Sequence, residues 1–218
     1  MGDLATKNAN KLRWPTGSAE QLEFMRLTYK ISHRNSARRR TYTATIPSEE
    51  LAEIEDGQKI KRAAAEACKR LLKDIRAKAS SEGKAVKIGV KSAYRSVEQQ
   101  LQIWQREFIR KYYPDTKEKR KSEFKDSGGE HGSKAARWLS NYIRRRLATP
   151  GFSKHQNGIA VDFSLIEGAK TYRANTSSRS VSSWKTTWFW QWMNMHASEY
   201  GFKQNHSIDE PWHWEYHP

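Results

Sequence analysis

"SKHQNGIAVDF", Ser153 to Phe163, sets a histidine, an Asn-Gly turn pair and an aspartate close together in an otherwise apolar run. Ile159, Val161 and Phe163 alternate with Ala160 and Asp162, the period-two pattern of a strand with one buried face. Gly158 gives the backbone the freedom to turn into that strand. An aspartate on a half-buried strand is costly unless something pairs with it. Taken alone, a structural aspartate bonded to a neighbouring loop explains the stretch as well as a functional one does.

The flanking sequence supplies further elements. "AVKIGVKSAYRS" alternates as a strand, with Val86, Ile88 and Val90 on one face, and "PWHWEYHP" closes the chain as another, with Trp212, Trp214 and Tyr216 opposite His213, Glu215 and His217. Helical spacing marks "VEQQLQIWQREFIRKYY" and "KAARWLSNYIRRRL", and a Trp-rich helix is expected over "WKTTWFWQWMNMHASEYGF", its rings packed in the core. From Pro47 to Gly83 the pattern reads as one helix, with a buried stripe of Ala65, Cys68, Leu71, Leu72 and Ile75. Residues 114–134 read as a long charged loop, and its His131 as solvated. Residues 1–45 carry nine Lys/Arg against three Asp/Glu and read as a solvated, partly ordered basic extension. A single domain over 46–218 follows it.

Composition narrows the classes. Of the 218 residues 36% are hydrophobic, so the core is compact, and nine tryptophans help fill it. The formal net charge of +16 predicts attraction to a polyanion without saying which. A lone cysteine, Cys68, excludes an intrachain disulfide and reads as a small packed helix residue. No run is long enough for a membrane span, and the first residues lack the apolar segment of a signal peptide.

The chemistry lies in two motifs. "HQNGIAVD" offers His155 and Asp162; "EPWH" offers Glu210 and His213. Two histidines and an aspartate suit zinc and leave a coordination position for water, whose pKa the metal lowers toward about 7. Glu210 is then available as the base that takes the water's proton, with Pro211 keeping it out of helical geometry. A two-His-one-carboxylate set also serves non-haem iron oxygenases. The wide spacing of His155 and Asp162, and a spare carboxylate with no oxygenase role, favour the hydrolase. His196, His206 and His217 have no partner at metal spacing and read as structural.

These residues resemble a known family. "SKHQNGIAVD" matches the Ser-x-His-x-x-Gly-x-Ala-x-Asp motif of the VanY-type D-alanyl-D-alanine carboxypeptidases, "EPWHWEY" their Glu-Pro-Trp-His segment, and "SAYRSVEQQ" their upstream Ser-x-Tyr-Arg-Ser-x-x-x-Gln segment. The likeness covers roughly residues 85–218 in the expected order. It implies the α+β LAS (hedgehog/D-Ala-D-Ala peptidase-like) fold, a small antiparallel sheet flanked by helices. It implies Zn2+ held by His155, Asp162 and His213, with Glu210 as catalytic base. Arg95 would bind the substrate carboxylate or polarise the scissile carbonyl, with Gln100 and Ser153 nearby as substrate-binding residues. The charge and planar fork of Arg95 suit a carboxylate on chemical grounds as well.

The expected function is zinc-dependent cleavage of a peptide bond in peptidoglycan stem peptides by a D,D-carboxypeptidase. The alternatives are a peptidoglycan endopeptidase of endolysin or secreted-effector type, and a non-catalytic polyanion- or nucleic-acid-binding protein. The expected partners are peptidoglycan or muropeptides, with anionic envelope polymers as further candidates and no nucleic acid; a monomer is expected. The long 114–134 insertion, the short segment before Glu210 and the basic arm depart from the family pattern and bear on which bond is cut. Action in the periplasm or cell wall without a signal peptide suggests export by phage lysis or a specialised secretion system.

Overall fold

The computed structural model describes the backbone from Gly2 to Pro218 and side chains from Leu4 onward. It contains two compact units, each built from two separate stretches of chain: one from residues up to Ala44 with Ser96–Ser153, the other from Thr45–Arg95 with Lys154–Pro218.

The first unit is helical. It holds α1 (Gly2–Lys11), α2 (Ala19–Ala37), α4 (Val97–Glu107), the short α5 (Tyr113–Asp115), α6 (Lys117–Glu123) and α7 (Ser133–Arg144). Much of the stretch expected as a solvated extension is therefore helix, residues 2–11 and 19–37. Ser18 opens α2 with a capping box: its hydroxyl accepts from the Gln21 N–H while the Gln21 side chain accepts from the Ser18 N–H. Phe24, Met25 and Tyr29 then fall on one face and are buried against Trp104, Phe108 and Leu139. These apolar positions are interleaved with bases, and counting charge hid their helical period. The 114–134 stretch is likewise not a loop. Its anchor is Arg120, fully buried, donating to the Tyr113 carbonyl at 2.8 Å with its guanidinium 4.4 Å from the Tyr113 ring centroid. His131 is not solvated either. Its side chain is 13% exposed, 2.8 Å from the Tyr113 hydroxyl and 2.9 Å from Glu20.

The second unit contains both sheets. A hairpin of β1 (Leu51–Glu55) and β2 (Gln58–Lys61) leads into α3 (Arg62–Ser81). The single helix expected from Pro47 is thus corrected: one 3-10 turn forms at Ser48–Glu50, and the α-helix begins only at Arg62. Asp56 and Gly57 both have positive φ, +50° and +74°, the geometry of a two-residue hairpin turn, and that Asp-Gly chemistry overrides helix propensity. The larger sheet runs β3 (Val86–Ser92), β4 (Ala160–Glu167), β7 (His213–Tyr216), β6 (Phe202–Gln204), all antiparallel, with β5 (Lys170–Tyr172) on the far end of β4. Val90 faces Phe163 and Ile88 faces Leu165, so one sheet face is apolar and packs on Leu71, Leu72 and Ile75 of α3. The Trp-rich segment forms two helices rather than one, α8 (Ser178–Lys185) and α9 (Trp188–His196). The break is at Thr187, whose hydroxyl caps α9 by accepting from Trp190 N–H at 3.1 Å. Trp184, Phe189, Trp192 and Met193 are core residues as expected. Cys68 is buried beside them, its thiol pushed up to about 12 by burial, which keeps it unreactive. The mixed architecture, a small antiparallel sheet with helices against it, is the expected one. Among the described residues, no helix is long and apolar enough to cross a membrane.

Candidate metal centre

Three strands of the sheet unit converge on Asp162. On β4 it points away from the apolar face occupied by Val161, Phe163 and Leu165. Across the ladder it stands directly opposite His213 of β7, and the Asp162 Oδ1 to His213 Nδ1 distance is 2.8 Å. On its other side Asp162 pairs with Ser92 of β3, just past a register shift between Val90 and Ser92. That irregularity bends the strand end and brings Ala93 and Arg95 to the site.

His155 arrives from the loop before β4. Its Nδ1 lies 2.6 Å from the Ala93 carbonyl and its Nε2 3.2 Å from Asp162 Oδ2. The carbonyl accepts only from an Nδ1–H, so Nε2 is left as the lone-pair nitrogen facing the aspartate. Gly158 makes this loop buildable. Its φ is +66°, and a Cβ there would sit 2.8 Å from Ile46 Cδ1 and 2.9 Å from Lys61 Cγ. Glu210 is placed by a β-turn: His213 N–H donates to the Glu210 carbonyl at 2.9 Å, with Pro211 at the second position. The Glu-Pro-Trp-His spacing is therefore a turn that brings Glu210 next to His213.

One donor atom each from His155, Asp162 and His213 lies within 4.8 Å of the others. Tetrahedral zinc, with bonds of about 2.0–2.2 Å to nitrogen and oxygen, takes such a group of donors. The electrostatics are those of a cation site. Burial pushes the Asp162 carboxyl up, but the two imidazoles outweigh it and hold it far below the usual range. Burial pushes His155 down, favouring the neutral imidazole. Burial would lower His213 too, yet its bonds to Asp162 and Glu215 raise it to about 9. Arg95 Nη2 lies 3.6 Å from Asp162 Oδ2. Glu210 is raised by burial and by the Asp162 charge, with His213 and Arg95 pulling the other way.

The structure thus brings together five of the residues singled out in the sequence: His155, Asp162, His213, Glu210 and Arg95. Gln100 and Ser153 belong to the helical unit. Gln100 is buried in α4 and its amide donates to the Ala148 carbonyl at 3.0 Å, and Ser153 is buried.

One residue escaped the sequence reading. Glu215, two positions past His213 and on the same strand face, is buried with an oxygen 3.4 Å from His213 Nε2. Asn205 donates to it at 2.7 Å, His217 Nε2 lies at 3.1 Å and Lys154 Nζ at 3.5 Å. These bonds outweigh burial and hold its carboxyl down at about 2. It fixes the outer nitrogen of a candidate ligand, as carboxylates behind metal-bound histidines do. The i, i+2 spacing on the strand was the signal that could have found it. His217 is likewise tied to Glu215, and His196 lies 2.9 Å from Glu199.

Solved structures similar to this chain include VanYB in complex with D-alanine-D-alanine (22% identity, 81% of this chain and 85% of that chain, TM-score 0.43). A VanY D,D-pentapeptidase variant in complex with Zn(II) aligns at 22% identity, over 81% of this chain and 85% of that one, with TM-score 0.41. The LdcB LD-carboxypeptidase aligns at 25% identity, over 78% of this chain and 68% of that one, with TM-score 0.42. No curated protein matches the chain. The family model of VanY, D-alanyl-D-alanine carboxypeptidase, matches residues 57–218, and the chain belongs to that family.

Proposed function

We propose that the chain is a zinc peptidase that removes the terminal D-alanine from peptidoglycan stem peptides. The observation that carries this reading is the meeting of three donors within 4.8 Å on the unit that also holds Glu210 and Arg95. His155, Asp162 and His213 hold the metal, and Glu215 and the Ala93 carbonyl hold the two imidazoles in orientation. The metal supplies Lewis acidity toward the scissile carbonyl and the attacking water. Glu210 takes the proton of that water as its oxygen bonds to the carbonyl carbon, then returns it to the departing amine as the C–N bond breaks. A half-buried carboxylate beside the three donors can serve both halves of this transfer. Arg95 is a permanent cation at the same place and pairs with the free carboxylate of the terminal residue, which selects a chain end over an internal bond. The site of action is the wall, where such stem peptides lie.

Mass spectrometry of purified muropeptides after incubation with the zinc-loaded protein tests this directly. The expected product is the pentapeptide stem shortened by one alanine. Cleavage within the stem or crossbridge would replace the carboxypeptidase by an endopeptidase. Intact muropeptides with fully loaded protein would remove the enzymatic reading.

A further inference from the structure

The helical unit carries a concentration of charge that the metal centre does not use. α2 and α7 pack with their C-terminal ends side by side, joined by Ser32 to Ser140 at 3.0 Å and Ser36 to Thr149 at 3.1 Å. Arg38, Arg39 and Arg40 leave the end of α2, and Arg144, Arg145 and Arg146 the end of α7. Five of the six are exposed and Arg144 is partly buried. Among the described residues none of the six is in an ion pair. Arg40 and Arg146 donate only to the carbonyls of Phe152 and Tyr142. Burial, then the charges of Arg39, Arg145 and Arg40, lower the Arg144 pKa, a sign that like charges stand close together.

Helix stabilisation does not account for this. Each helix C-terminus offers about half a negative charge, so the two together balance about one arginine of six. The surface continues into a cavity of about 270 Å³ between α1 and α2, with Lys30, Arg34 and Arg38 in a row along α2 at i, i+4 and i+8, and Ala5 and Ala37 also lining it.

We propose that this face binds a base-free phosphodiester polymer, a chain of polyol phosphates of the kind that shares an envelope with the proposed substrate. Guanidinium groups match phosphate in charge and geometry, and repeated phosphates match a row of cations. Two other polyanionic surfaces fit less well. A single-stranded nucleic acid bound without sequence preference is held by bases stacked on exposed rings, and no phenylalanine, tyrosine or tryptophan among the described residues is exposed; a duplex, held through its phosphates alone, is separated from the polymer by the test below. The Tyr142 ring is covered by the Arg146 guanidinium at 3.7 Å. A lipid surface calls for apolar side chains beside the charges. The large apolar residues exposed among those described, Ile166 and Met195, lie in the other unit.

The test compares the 218-residue chain with two variants that lose the same charge. One carries Arg34→Gln, Arg38→Gln, Arg39→Gln and Arg145→Gln; the other carries Lys73→Gln, Lys84→Gln, Lys87→Gln and Lys203→Gln. All eight positions are exposed, and melting temperatures check that each variant folds. Binding to poly(glycerol phosphate) is measured against salt, with an oligodeoxynucleotide of equal charge, single-stranded and as a duplex, and phosphatidylglycerol vesicles as rival ligands. The arginine variant is expected to lose at least tenfold in affinity for the polymer, with its salt slope shallower by about three, while the lysine variant binds within twofold of the parent. Equal losses in both variants would reduce the effect to net charge and overturn the proposal. Tighter binding of the parent to the oligonucleotide or the vesicles than to the polymer would overturn it as well. Binding needs no metal, so failure here leaves the peptidase reading standing, and the converse.

Discussion

At the scale of single residues, Glu210 and Glu215 separate two jobs that one strand end performs. Glu210 is half-buried and raised; Glu215 is buried, held at about 2 and bonded on every side. Glu210→Gln keeps the three donors, so it should bind zinc with parent stoichiometry while turnover on muropeptides falls by about 10²- to 10⁴-fold. A glutamine variant that cleaves at the parent rate would end its role as base. Glu215→Ala should act the other way. Loss of the group that fixes His213 Nε2 should weaken zinc affinity about 10- to 100-fold, measured by competition with a chromogenic chelator. The d–d spectrum of the cobalt-substituted protein should shift with it, since the ligand field follows the ring's orientation. Unchanged affinity and spectrum would reduce Glu215 to packing. Asp162 and His213 stood out in the sequence because charged and imidazole side chains are rare in apolar strands, and His155 because it shares a short motif with Asp162. Glu215 did not: it reads as an ordinary outward strand position, and its partners Lys154, Asn205 and His217 come from different segments.

At the scale of elements, β4 and the loop before it do the positioning, and glycine decides whether that loop closes. Gly158→Ala would meet two costs: about 1–2 kcal/mol for a side chain in the left-handed region and about 1–3 kcal/mol for the overlap with Ile46 and Lys61. Gly168 has a similar φ of +59° but open space around its Cβ position. Gly168→Ala should therefore cost only the backbone part. Denaturant melts of both variants measure the difference, and equal destabilisation would mean that the close approach at Gly158 is relieved at no cost. Period-two strands such as β3 and β4 were readable because burial on one face leaves an alternating pattern. The β1–β2 hairpin was passed over although its Asp56-Gly57 turn was in the sequence, because the strands are short and β2 runs straight into α3, so a helical period could be read through the turn. α2 was missed for a different reason: its buried face includes Thr28, Ser32, His33 and Ser36, polar residues whose burial the sequence does not announce.

At the scale of the whole molecule, the chain passes between its two units near Ala44, Arg95 and Ser153, and no shift in composition marks those points. The net charge of +16 was legible at once, but its concentration at two helix ends depended on which helices pack together. Stability, metal binding and pH meet in one further expectation. In the metal-free protein His213 keeps its proton up to about pH 9, whereas in the unfolded chain it releases it near pH 6.5. The folded state then binds more protons than the unfolded state across that window. The contribution of His213 to stability is thus fully present below about pH 6.5 and lost as pH rises through about 9. A metal ligand must be a neutral imidazole, so zinc displaces this same proton. Zinc affinity should therefore rise with pH up to about 9, by close to tenfold per unit for one proton released. The stabilisation by zinc, which follows RT ln(1 + [Zn]/Kd), should grow with it. Melting temperatures of chelated and zinc-loaded protein at pH 6, 7 and 8 give the comparison, and a pH indicator in weak buffer counts the protons released on loading. The chelated protein should remain folded throughout, because Asp162 keeps its partners Arg95 and His213 without a metal. A gap between the two melting temperatures that stays constant or narrows from pH 6 to pH 8, with no proton released, would show that His213 is not among the metal's ligands.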